Sequence, residues 1–110
     1  MSNPADQEAV VVYVTAPERE TARAIASALV ENREAACVNI VAGVESVYRW
    51  QGEIEVDDEL LLVIKTRAAR LAAIDARLAE LHPDEVPERI TLPITDGSPA
   101  YLDWLLEQTG

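Results

Sequence analysis

One cysteine and one histidine are the soft ligands of this 110-residue chain. Cys37 opens the apolar run Cys37-Val-Asn-Ile-Val41, and His82 stands between Leu81 and Pro83. Thiolate and imidazole together select copper or zinc over magnesium, so Cys37, His82 and a carboxylate such as Glu85 form a candidate metal set. Each residue also has a structural reading. A cysteine at the start of an apolar strand packs as a small, inert hydrophobe. A histidine at a helix C-terminus meets capping carbonyls and the negative end of the dipole. No repeated CxxC spacing reinforces the metal set.

Tyr48 and Trp50 are two apart and share one face of a strand, with Arg49 on the other. Their types suit either a stacking platform or an interface anchor, and the interface reading is preferred because Trp, Tyr and Arg dominate binding hot spots. Glu53, Glu55, Asp57, Asp58 and Glu59 alternate in part with Ile54 and Val56, as on the solvated side of a hairpin arm. Glu59 borders Leu60-Leu-Leu-Val-Ile64 and is placed to pair with arginine or line a cleft. Lys65, the sole lysine, suits an anion or a Schiff base, or is a solvated strand end. No Gly-rich phosphate loop, GxSxG elbow, HExxH helix or EF-hand loop occurs, and no pair of groups is set for acid-base work. The expected protein is not an enzyme.

These residues need a frame, and its main member is the stretch from Ala36 to Thr66. Two apolar-rich runs of about fourteen residues each meet at Gln51-Gly52, which predicts one very long β-hairpin. Straight, the first arm would reach roughly 46 Å, against a diameter of about 34 Å for a compact domain of this length. Either Gly43 bends the strand through a bulge or the tip projects beyond the body. A projecting tip carrying Val44, Tyr48 and Trp50 calls for a second chain to cover it, so an oligomer is expected.

Around the hairpin, Val10-Val-Val-Tyr-Val14 reads as a central strand buried on both faces. A helix follows Thr15-Ala-Pro-Glu-Arg-Glu20, with Pro17 near its first position and Ala22, Ile25, Ala26 and Leu29 as its buried stripe. Ala68 to His82 repeats Leu71, Ile74, Leu78 and Leu81 at helical spacing, and Pro83 ends it. Residues 88–94 alternate as a short strand that Pro87 and Pro93 require to lie at an edge or be interrupted. Ser98 and Pro99 start a last helix with Tyr101, Leu102, Leu105 and Leu106 on its apolar side. The order β-α-β-β-α-β, with an added C-terminal helix, is the α+β ferredoxin-like pattern.

With 49% hydrophobic residues, the chain suits one domain over residues 9–110, preceded by a disordered tail over residues 1–8. The net charge of -11 repels phosphate backbones and anionic membranes and attracts cations. No nucleic-acid or membrane partner is expected. The N-terminal residues lack the basic and apolar regions of a signal peptide, and a lone cysteine forms no intrachain disulfide, so cytoplasmic localisation is expected.

Ala36-Cys-Val-Asn-Ile40, Gly43-Val44, Tyr48-Arg-Trp50, Gly52-Glu-Ile54, Leu62-Val-Ile-Lys-Thr66 and Leu81-His-Pro-Asp-Glu-Val-Pro-Glu88 together resemble the CutA family of divalent-cation tolerance proteins. Leu92-Pro-Ile94 and Tyr101-Leu-Asp-Trp104 extend the resemblance over nearly the whole chain. It implies a PII-like homotrimer, a role in tolerance to copper and other divalent cations, and family cysteine and histidine positions at Cys37 and His82. It also implies intersubunit clefts, for which Trp50, Glu59, Lys65 and Tyr101 are the candidate ligand residues in an alternative reading as a signalling trimer. Asp84 departs from the family, which usually has tyrosine there. That change removes a stacking surface and adds a charge beside His82.

Overall fold

The structure is a computed structural model describing residues 8–110. Four strands and three helices follow one another as β1 (Ala9–Ala16), α1 (Arg19–Glu31), β2 (Cys37–Trp50), β3 (Glu53–Arg67), α2 (Leu71–Leu81), β4 (Ile90–Pro93) and α3 (Pro99–Gln108). The sheet order is β2-β3-β1-β4, antiparallel at every contact. This is the expected ferredoxin-like arrangement, with α3 added. Apart from Glu8, whose carbonyl accepts from the Ala68 amide at 2.9 Å, the expected tail lies outside the described residues.

The period of two in β1 and β3 sends Val10, Val12, Val14, Leu60, Leu62 and Ile64 to one face. There they meet Ala22, Ile25 and Leu29 of α1 and Ile74 and Leu78 of α2 in a single cluster. Each of the larger side chains contributes about 1.5–3 kcal/mol by leaving water. The opposite face is covered in part by α3, held there by Arg67, which donates to Thr109 Oγ1 at 3.0 Å and to the Leu106 carbonyl. Because α3 is short, Val11 and Tyr13 are only half-buried, so β1 is central but not enclosed on both faces.

Local chemistry sets the ends. α1 begins at Arg19, two residues beyond Pro17, with extended Glu18 as its N-cap. It closes through Glu34 N–H to Leu29 O at 2.8 Å and Arg33 N–H to Val30 O at 3.2 Å, Arg33 adopting φ 57°. Residues Ala68–Arg70 form a 3₁₀ turn, so α2 proper starts at Leu71, the first residue of its apolar repeat and three residues later than the expected start at Ala68. Ser98 caps α3 as expected, accepting from the Tyr101 amide at 3.3 Å, but of its apolar side only Leu105 is fully buried. The strand expected over residues 88–94 shrinks to Ile90–Pro93 on the edge beside β1.

Both alternatives for the long hairpin occur together. Gln51 (φ 49°) and Gly52 (φ 83°) make its two-residue turn. Two positive φ values match the right-handed strand twist. Between the pairs Val41↔Leu61 and Val44↔Glu59, β2 carries one residue more than β3, a bulge with Gly43 at φ 81°. The hairpin still projects, since the principal extents are 45 × 25 × 24 Å.

Candidate functional site

Beyond the bulge the register sorts the hairpin into two chemically different faces. Directly opposed residues share a face. Val44, Ser46, Tyr48 and Trp50 therefore lie with Glu59, Asp57, Glu55 and Glu53, while Val47 and Arg49 lie with Val56 and Ile54. One face is aromatic and acidic. The other carries an open apolar cluster, Val47, Ile54 and Val56 being 64%, 57% and 59% exposed, beside Arg49 and the opposed Glu45 and Asp58.

A cleft of about 660 Å³ lies between this distal half of the hairpin and the connection from α2 to β4. Ser46, Val47, Tyr48, Trp50 and Glu59 line it from the hairpin, Thr15 from β1, and Pro83, Asp84, Glu85, Val86 and Glu88 from the connection. Tyr48 donates its hydroxyl to Asp57 across the strands. That hydrogen bond, reinforced by the neighbouring carboxylates, pushes the phenol up to about 12.

His82 anchors the connection. Its ring is buried, its Nε2 is 2.7 Å from the Thr15 carbonyl, and its Nδ1 accepts from the Asp84 amide at 3.1 Å. The acceptor role of Nδ1 puts the ring proton on Nε2, which donates to Thr15. Both nitrogens are committed to holding the cleft wall.

Cys37 sits elsewhere. It pairs with Lys65, while Thr15 pairs with Leu61, four residues away along β3. At about 3.3 Å per residue and two strand spacings, Cys37 is roughly 16 Å from the strand position that His82 touches. Cys37, His82 and Glu85 thus do not converge within the chain. Among the described residues no group of three His, Cys, Asp or Glu is placed to hold a metal ion.

Within one chain, the ligand set expected for an intersubunit cleft divides the same way. Trp50 and Glu59 line the cleft, whereas Lys65 and Tyr101 lie at the Cys37 end. Lys65 donates to Asn39 Oδ1. Tyr101 is held above the usual phenol range first by burial and then by the adjacent Cys37 thiol. Its ring packs beside Trp104 at 5.5 Å between centroids. Thr15, Ser46, Val86 and Glu88 were not foreseen as lining residues. The carboxylates bracketed by Pro83 and Pro87 were the available signal, since such a segment stays outside helix and sheet and is free to form a wall.

A ferredoxin-like α+β sheet with a projecting hairpin and a cleft along its distal half defines the class. The chain belongs to the CutA1 divalent ion tolerance protein family, whose model matches residues 10–108. It is 55% identical to the divalent-cation tolerance protein CutA of Thermus thermophilus over 91% of this chain and 97% of that one. It is 49% identical to the chloroplastic CutA of Arabidopsis thaliana, spanning 91% of this chain but 55% of the relative's length. The solved Thermus thermophilus protein superposes with a TM-score of 0.91 at 54% identity, covering 93% and 99% of the two chains. CutA1 from Oryza sativa gives 0.90 at 45% identity, covering 94% of each. The fold and the family agree with the expectation drawn from the motifs.

Proposed function

We propose that this chain serves divalent-cation tolerance as a homotrimer that takes up copper or another divalent ion and catalyses no reaction. The observation that carries the assembly is the open apolar face of the distal hairpin, with Val47, Ile54 and Val56 each more than half exposed. A projecting ribbon of this kind has no partner layer of its own, and a second copy is the natural cover. The net charge of -11 favours a cationic cargo. Since Cys37 and Glu85 are far apart in one chain, a metal site using both is one built between copies. His82 would join it only by giving up Thr15 or Asp84.

Calorimetric titration of the metal-free protein with copper and zinc, with light scattering on the same samples, tests this. Saturable binding at an integral ratio to the trimer, weakened by Cys37→Ser and Glu85→Gln, is the expected result. A micromolar monomer, or a non-saturating isotherm unaffected by either substitution, contradicts it.

A second reading is favoured by the cleft itself, a pre-formed concavity of small-ligand size with aromatic and polar walls. In this reading the trimer is a PII-like sensor, and occupancy of the cleft is the signal passed to another protein.

A further inference from the structure

The charged side chains lining the cleft all carry one sign. Glu59, Asp84, Glu85 and Glu88 contribute carboxylates, and no Lys, Arg or His lines it. The arginines with assigned hydrogen bonds act elsewhere: Arg77 holds Glu34, Arg89 holds Asp75, and Arg33, Arg67 and Arg70 donate to the end of α3. Arg49, on the opposite face of the hairpin from Tyr48 and Trp50, donates to the Gly52 carbonyl at 3.5 Å. An anion such as a nucleotide phosphate would enter against this field. A bare divalent ion lacks three converging donors there.

The carboxylates are only half of the feature. Tyr48 and Trp50, 41% and 42% exposed, stand on the same strand face and border the same space. The Tyr48 hydroxyl is engaged by Asp57, which fixes the ring and leaves its face as the contact surface. Aromatic faces attract cations through their quadrupole, most strongly where the cation is large and weakly hydrated. The cleft volume of about 660 Å³ suits an organic body and far exceeds what a hydrated metal ion needs.

We propose that the cleft between the distal hairpin and the Pro83–Glu88 connection binds a small organic cation, a guanidinium or alkylammonium compound. Its charged group stacks on Trp50 and is countered by Glu59 and Glu85. This rests on the second reading above, in which the cleft is the ligand site, and names the chemical class it takes. Asp84 supplies a further carboxylate to the lining.

The test uses the full chain carrying Trp104→Phe, so that Trp50 is the only tryptophan, with its fluorescence as the readout. Agmatine supplies a guanidinium and spermidine an alkylammonium. Magnesium at matched ionic strength controls for charge alone, and ATP and neutral glucose probe the other classes. Saturable quenching by agmatine or spermidine is expected, with affinity falling about tenfold or more in Glu59→Gln and unchanged in Glu45→Gln, whose side chain lies on the opposite face. Calorimetry on Trp50→Ala should show the same loss. Equal effects of magnesium and the organic cations would reduce the cleft to non-specific attraction and overturn the proposal. Glu59-dependent binding of ATP or glucose, with neither cation bound, would overturn the class while leaving the cleft as a ligand site. No response to any of the five probes would remove both.

Discussion

The two halves of the long hairpin both carry β-branched and other apolar residues, and these end in opposite environments. In the proximal half, Leu62 and Ile64 of β3 are fully buried, and Val38 and Ile40 of β2 pack against the same core. In the distal half, Val47, Ile54 and Val56 are exposed. Nothing in the β-propensity of these Val, Ile and Leu residues separates the halves. They differ in what lies above them, since the helices cover the proximal half and, among the described residues, no helix covers the apolar side chains of the distal one. Strand residues are stabilised by neighbouring layers, so an uncovered stretch is either a surface for another molecule or a hazard.

The largest effect should come from removing that cover where it exists. Ile64→Ala is expected to cost about 2–5 kcal/mol in urea unfolding, because a fully buried side chain leaves a cavity. The matching change in the distal half, Ile54→Asp with Val56→Asp, should leave the circular-dichroism spectrum of the folded chain intact and release monomers in light scattering. Retained assembly in that variant would break the contrast between the halves.

The joint between them is next. Gly43 has open space where a Cβ would stand, so Gly43→Ala meets no clash and its whole cost is the positive φ. About 1–2 kcal/mol is expected by chemical denaturation. A neutral outcome would mean that the bulge can move along the strand.

Smaller still is the distal polar face. Tyr48, with its phenol raised to about 12 by Asp57, favours the folded state most while neutral. That contribution is present below about pH 10 and is lost as the pH rises toward 12. Absorbance titration should show Tyr48 titrating late alongside Tyr101, and Asp57→Asn should return only the Tyr48 component toward the ordinary range.

A surface pair outside the hairpin sets the floor. Arg89 donates to Asp75 at 2.8 and 2.6 Å and holds its carboxyl below the usual range. Its contribution is present above the unfolded carboxylate pKa near 3.9 and disappears as pH falls through the lower folded value. Asp75→Asn should cost no more than about 1 kcal/mol at neutral pH, since the carboxylate is half exposed. A larger cost there than at Gly43 would reverse the ranking.

Much of this architecture was legible in the residues. The apolar stripes of α1 and α2, the Ser98 cap, the edge placement of the strand carrying Pro93, and the Gln51-Gly52 turn all follow from local preferences. The candidate site was less legible. Trp50 and Glu59 both line the cleft of one chain, while Lys65 and Tyr101 lie at the other end of its sheet and Cys37 lies far from His82. Residue type reveals what a side chain can do. It does not reveal which end of a strand or which face of a sheet that side chain will occupy relative to an element distant in the chain.

The sequence by itself determined the elements, their order and the length of the hairpin, because helix and strand periods, turn residues and prolines act over a few positions. It also determined the sign of the charge and the family. Only the tertiary structure decided that the bulge at Gly43 and the projection of the tip coexist. It also committed both nitrogens of His82 to a cleft wall and gave the aromatics and carboxylates of the distal hairpin a common face. Those outcomes depend on strand register and on contacts between residues far apart in the chain, which no local pattern encodes.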